Sequence, residues 1–142
     1  MPLLQSLVQS VGQKTLPKVI SPKAHAIIDY ATAGSFFVMA ALMWKRHKRA
    51  AVSSIVAGAG ELANTMFTDF PGGVVREISF RTHGHIDMGL AAMVASMPGF
   101  MNFKDDPETR FFTAQALAIT AVGALTDFDA PTRSNVRPIR AA

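Results

Sequence analysis

Residues 25–44 read HAIIDYATAGSFFVMAALMW, and residues 83–100 read HGHIDMGLAAMVASMPGF. Each stretch opens on a histidine, places an aspartate four residues later, and then continues with no charged side chain. A helix in a soluble four-helix bundle carries a polar stripe opposite its buried one. The runs AGSFFVMAALMW (33–44) and MGLAAMVASMPGF (88–100) are apolar on every face. That pattern favours helices surrounded by lipid over a soluble bundle.

A shift of 58 residues superposes the two halves of the chain. Ser21, Lys23, His25, Ile28 and Asp29 fall on Ser79, Arg81, His83, Ile86 and Asp87. Thr68, Asp69 and Phe70 fall on Thr126, Asp127 and Phe128. Each half reads as a histidine–aspartate start, an apolar helix, a polar turn, a second helix and a T-D-F end. The repeats run over 21–70 and 79–128, and the correspondence sits at the helix ends rather than in their interiors.

The charges respect this division. All 14 Lys and Arg residues lie outside 24–44, 50–75, 82–103 and 111–132, gaps of 21, 26, 22 and 22 residues. A membrane-spanning helix needs roughly 20 mostly apolar residues. The spacing predicts helix cores over 27–44, 50–67, 86–100 and 111–125, the last two short enough to need polar flanks at the interface. The expected fold is therefore all-α: a four-transmembrane-helix bundle built from two helical hairpins in parallel repeat. A hairpin crosses twice and returns, so both copies share one orientation about an axis along the membrane normal. Both His–Asp pairs and both T-D-F ends are expected at one face, and the turns 45–49 and 101–110 at the other. The basic turn WKRHKR (44–49) abuts helix ends, which favours that face as cytoplasmic.

The 142 residues suit one small domain. Hydrophobic residues make up 49% and charged residues 17%, below the ~25% of soluble proteins. The net charge of +4 is distributed as membrane flanks rather than as a nucleic-acid surface, so the expected partners are membrane lipids, a second copy or a larger membrane complex, and no nucleic acid. Without cysteine there is no disulfide framework, thiolate nucleophile or iron–sulfur cluster. Leu3, Leu4, Leu7, Val8 and Val11 share a helical face, predicting a short interfacial helix within 1–20. The segment 129–142 reads as a polar, flexible tail. DFPGGV (69–74) is a turn, and its glycines lack the lysine of a phosphate-binding loop.

The polar residues carry whatever chemistry there is. His25 and Asp29 stack on one helix face, as do His83 and Asp87. One reading makes them structural: each histidine orients a helix start and hydrogen-bonds the aspartate one turn deeper. The other makes His25 and His83 cofactor-binding, two imidazoles facing a quasi-twofold axis to hold a haem iron or transition metal, with Asp29 and Asp87 on the second ring nitrogens. His85 breaks the symmetry, and His47 belongs to the basic turn. Glu61 lies deep in the second span, with Asn64, Thr65 and Thr68 along its face, and its counterpart is Ile119. An ionisable group at that depth is a functional hypothesis by default: a proton- or substrate-binding carboxylate, or a bridge to Asn64, to Gln115 or to a neighbouring subunit. Ala57, Gly58, Gly60 and Gly123 permit close backbone approach and are expected at the contact between repeats. The methionines read as filler rather than as a copper array.

The pieces HAIIDYATAG (25–34), HGHIDMGLAAMVASMPGF (83–100) and the two TDF endings resemble the SPW-repeat family of small bacterial membrane proteins, over about residues 21–128. The namesake Ser-Pro-Trp is reduced to Ser96-Met97-Pro98. The resemblance implies a duplicated two-helix hairpin in the bacterial inner membrane and no settled activity. No nucleophile–base set is visible, so no catalytic residue is assigned and an accessory, non-enzymatic subunit is the first expectation. A bis-histidine redox subunit and a small proton-coupled transporter using Glu61 are the alternatives.

Overall fold

The computed structural model describes residues 16–132. The interfacial helix expected at the N-terminus and the tail beyond 132 lie outside the described residues. Four helices follow in order: α1 Pro22–Met43, α2 Lys48–Met66, α3 Phe80–Phe100 and α4 Thr109–Leu125. Among the described residues there is no strand, and the only pairings of extended backbone are two isolated bridges, Ile20 with Thr126 and Thr68 with Ile78.

The repeated serines start the first helix of each hairpin. Ser21 Oγ accepts from the Ala24 amide at 3.2 Å, with Pro22 opening α1. Ser79 Oγ accepts from the Thr82 amide at 3.1 Å. Such caps satisfy one of the free amides of a helix start and are worth about 1 kcal/mol each. Because they set α1 at 22 and α3 at 80, both helices begin five or six residues before the expected cores. The His–Asp motifs therefore lie within the first turns.

α1 packs on α2 and α3 on α4, and α2 joins the hairpins through α3. The turns meet at the far end. His47 Nδ1 accepts from the Ala50 amide at 3.2 Å, which leaves the ring proton on Nε2 to be donated to Asp106 at 2.8 Å. Arg49 donates to the Asn102 carbonyl at 3.2 Å. His47 is thus the N-cap of α2 and a link between repeats, not simply part of a wet turn.

Among the described residues, only α1 is both long and apolar enough to cross a membrane, with a mean hydropathy of 1.6 in its best window; α4 is apolar but shorter. α2 and α3 fall short because they carry Ser53, Ser54, Glu61, Asn64 and Thr65, or Arg81, His83, His85 and Asp87. Many of these polar groups are buried, while Val38, Leu42, Val52, Val56, Met88 and Leu117 are exposed.

The two glycines of α2 divide between the hairpin's own contact and the contact with the other hairpin. A Cβ on Gly58 would stand 3.0 Å from Phe36 Cβ and 3.3 Å from the Ala33 carbonyl of α1. Gly123 faces Met88 within the second hairpin, and Gly60, against Leu90, alone of the three meets the other repeat. A hairpin must bring its helices close enough to bury Phe36, and only a missing side chain allows it. Gly58→Leu is expected to lower stability by about 1–3 kcal/mol through overpacking. Gly34→Ala, at an open helical site, is expected to raise it by about 0.5–1 kcal/mol. Thermal unfolding of the purified variants checks both signs.

Candidate metal centre

The caps and hairpins bring all four repeated polar residues to one point. His25, His83, Asp29 and Asp87 are each no more than 3% exposed. His25 Nε2 lies 3.1 Å from His83 Nε2, 3.3 Å from Asp29 Oδ1 and 3.1 Å from Asp87 Oδ2. His83 Nε2 lies 3.1 Å from Asp29 Oδ2 and 3.0 Å from Asp87 Oδ2. One donor atom from each of the four residues fits within a sphere of mutual separations under 4.8 Å.

The aspartates are not on the second ring nitrogens, as the sequence had suggested. Those nitrogens are held by the threonines of the T-D-F ends, and each repeat serves the other. Thr126 Oγ1 donates its hydrogen to the Val122 carbonyl at 2.6 Å, so its lone pair accepts from His25 Nδ1–H at 2.8 Å. Thr68 Oγ1 donates to the Asn64 carbonyl at 2.6 Å and accepts from His83 Nδ1–H at 2.8 Å. With each Nδ1 carrying a proton, each Nε2 of a neutral imidazole is left with its lone pair pointing into the cluster. Threonine thus sets the tautomer, a role the sequence signalled only by repeating T-D-F at the end of both halves.

Phe70 and Phe128 of the same motif, together with Phe80, close the site. The His25 ring meets Phe80 and Phe128 edge-on at 5.4 Å each, and His83 lies 5.2 Å from Phe70. Phe128 reaches this position because Gly84 has no side chain: a Cβ there would stand 2.8 Å from the ring. Sequence reasoning missed this aromatic box, since its three rings are dispersed along the chain.

The remaining expected residues take different places. Asn64 Nδ2 donates to Asp87 Oδ1 at 2.7 Å and to the His83 carbonyl at 3.3 Å, so it orients one aspartate rather than Glu61. Gln115 donates to Ser35 Oγ at 3.0 Å and is not a partner of Glu61. His85 lies apart, on the wall of an open cleft with Arg81, Met88 and Phe128. Glu61 is buried beside the cluster, lining a small void with Asp29 and Asp87.

With both imidazoles neutral and both carboxylates ionised, the site carries two negative charges shielded from water, which one divalent cation would balance. With metal–ligand bonds near 2.0–2.2 Å, the edges of a tetrahedron are roughly 3.3–3.5 Å; His25 Nε2, His83 Nε2 and Asp87 Oδ2 stand 3.0–3.1 Å apart, close to this, while Asp29 turns a different oxygen to each histidine. Imidazole with carboxylate suits zinc, iron or manganese, and the soft thiolates that select copper(I) are missing. Haem does not fit. Two axial nitrogens on opposite sides of an iron would stand about 4 Å apart with a macrocycle between them, whereas these are 3.1 Å apart with both aspartates at the same point.

Comparisons with protein-family models, with curated proteins and with solved structures find no match to this chain. The site therefore rests on its own geometry. Thr68→Val or Thr126→Val leaves a buried imidazole N–H without an acceptor, and each is expected to cost about 1–3 kcal/mol. Thr68→Ser and Thr126→Ser keep the hydroxyl and should unfold near the wild-type temperature. Thermal unfolding of the four variants distinguishes a tautomer-setting hydroxyl from mere packing.

Proposed function

We propose that this chain is a four-span membrane protein whose two hairpins are held together by a buried divalent transition-metal ion on His25, His83, Asp29 and Asp87. The observation that carries the reading is the approach of two histidine Nε2 atoms to 3.1 Å, with a carboxylate oxygen against each. Two lone pairs, or two protonated nitrogens, repel at that distance; without a cation, one ring must carry a proton between the two nitrogens as an imidazolium against the carboxylates. A cation accepts both lone pairs and both carboxylates at once. Each hairpin supplies one histidine and one aspartate, so neither forms the site alone. The ion would then supply the cross-link on which an accessory or structural subunit depends, and its binding energy would be folding energy.

The membrane reading draws on the distribution of side chains. Ser53, Ser54, Asn64, Thr65, Thr68 and the charged cluster lie inside, while Phe37, Val38, Leu42, Val52, Ile55, Val56 and Leu117 lie on the outside. Water would favour the reverse. In lipid, polar groups gather between helices and small residues set the packing. Among the described residues, the lysines and arginines stand near helix ends or in the segments outside the helices, where a bilayer leaves charged heads in the interface.

Two measurements test this. Protein extracted with mild detergent, without chelator, is expected to carry one divalent transition-metal ion per chain by mass spectrometry. His25→Ala and His83→Ala should each lose it. Cobalt(II) loaded into the stripped wild type should give the visible absorption of a four-coordinate ion. A folded wild type that binds none of Zn2+, Fe2+, Mn2+ or Co2+ would sink the metal reading and leave the cluster as a pair of crossed ion pairs between repeats. Separately, the chain is expected to stay in the membrane pellet after alkaline carbonate washing; release into the supernatant would overturn the four-span reading.

A further inference from the structure

The outer faces of the two hairpins are built differently. In the first, Phe37 lies across the contact of α1 with α2, its ring 3.3 Å from where a Cβ on Gly58 would stand. Tyr30, on the same helix, is tied to the Gly72 carbonyl at 2.6 Å. The matching residues of the second hairpin are Ala95 for Phe37 and Met88 for Tyr30. Without those rings, the contact of α3 with α4 is left uncovered as a groove.

Two clefts make up this groove. One, of about 470 Å³, is lined by Arg81, His85, Met88, Thr120 and Phe128, among others. The other, of about 310 Å³, shares Met88 and Thr120 and continues past Ala92 to Ala95 and Thr113. Thr113 and Thr120 donate their hydroxyls to carbonyls of their own helix, those of Thr109 at 3.1 Å and Ala116 at 2.8 Å. The inner cleft is thus walled by alkyl groups, which suits an apolar chain.

Its mouth is cationic. Arg81 and His85 stand one turn apart on α3 at the rim. Lys18 donates at 2.9 Å to the carbonyl of Ala124, which lines the same cleft. Asp129 engages Arg81 through Nε, at 3.1 Å, and through Nη2. That exposed pair leaves the other N–H groups of the guanidinium for a second acceptor. Imidazole offers an N–H donor in either protonation state. From His85 to Ala95 the groove follows α3 for about 15 Å, at a rise of about 1.5 Å per residue. That is half of the roughly 30 Å hydrocarbon thickness of a bilayer. A neighbouring helix would cross the whole thickness, whereas the acyl chain of a lipid occupies one leaflet.

We infer that the groove between α3 and α4 binds one anionic phospholipid. Its phosphate is held at the mouth by Arg81 and His85, and an acyl chain lies over Met88, Ala92 and Ala95. The first hairpin, filled by its own rings, has no such site. The inference rests on the membrane reading above and is independent of the metal.

The test uses the full chain, purified in detergent and delipidated, with bound lipids counted by native mass spectrometry. One phosphatidylglycerol per chain is expected, with phosphatidylcholine held about tenfold more weakly. Arg81→Gln should narrow that gap about fivefold, the effect of one basic side chain beside an anionic headgroup, and leave phosphatidylcholine binding unchanged. Ala95→Phe, at an exposed position, copies the ring of the first hairpin and should abolish retention of both lipids. Equal binding of the two lipids by the wild type, or phosphatidylglycerol retained by Ala95→Phe, would overturn the site. So would a lipid-free dimer that Ala95→Phe dissociates, because a second copy would then be the occupant. Each of these results leaves the membrane reading standing. Release of the chain by alkaline carbonate would remove that reading and this one together. The wild-type comparison of the two lipids decides the matter even if a variant fails to fold.

Discussion

The convergence of His25, His83, Asp29 and Asp87 is the constraint on which the rest of the molecule depends. Four ionisable side chains buried together in an apolar medium are expensive unless each finds a partner of suitable charge and geometry. Here the partners are supplied across the repeats. Thr68 of the first hairpin holds His83 of the second, and Thr126 of the second holds His25 of the first. The bridges Thr68–Ile78 and Ile20–Thr126 follow the same crossed plan. Removing either hairpin's end would uncover the other hairpin's histidine, so the two halves are interlocked where they begin and end.

The opposite end of the bundle is joined by lighter means. His47 and Asp106 link the two turns through one hydrogen bond, packed on Phe103. Between the ends, Phe36, Phe111 and Phe112 form an aromatic contact between α1 and α4, with Val94 of α3 in the same apolar cluster. The molecule is thus polar at one end, apolar through its middle, and hydrogen-bonded again at the far turns. On the proposed membrane reading, the polar end would sit near one interface, its cluster sealed from the headgroups by Phe70, Phe80 and Phe128.

Matching residues in the two halves account for the symmetry of the site, and unlike residues at corresponding positions for its asymmetry. The His–Asp pairs, the capping serines and the T-D-F ends are retained in both copies. The residues that differ where α2 and α4 flank the cluster are Glu61 against Ile119 and Asn64 against Val122. A twofold site with identical halves offers one place on its axis. Replacing one apolar flank by a carboxylate and an amide creates a direction: the Asn64 amide orients Asp87, and Asp29 meets Val122 at the corresponding position instead.

Read alone, the sequence determines the four helices and the position of each polar residue along them, because these follow from local spacing: apolar runs, and lysines and arginines kept to turns and helix ends. The i, i+4 spacing puts His25 over Asp29 and His83 over Asp87 whatever the rest of the chain does. It also identifies Glu61 as anomalous, since an acid in an apolar run is costly in any context. What it leaves open is contact. Whether the two pairs face each other, which ring nitrogen each threonine holds, that Asn64 goes to Asp87 and Gln115 to Ser35, and that Gly58 serves its own hairpin all depend on the rotation of one helix against another. That rotation is a sum of many small packing terms over both hairpins, such as Phe128 lying on Gly84 and Phe36 on Gly58, and no short stretch of sequence contains it. Four side chains from two distant helices become one site only when the tertiary structure closes the two repeats around it.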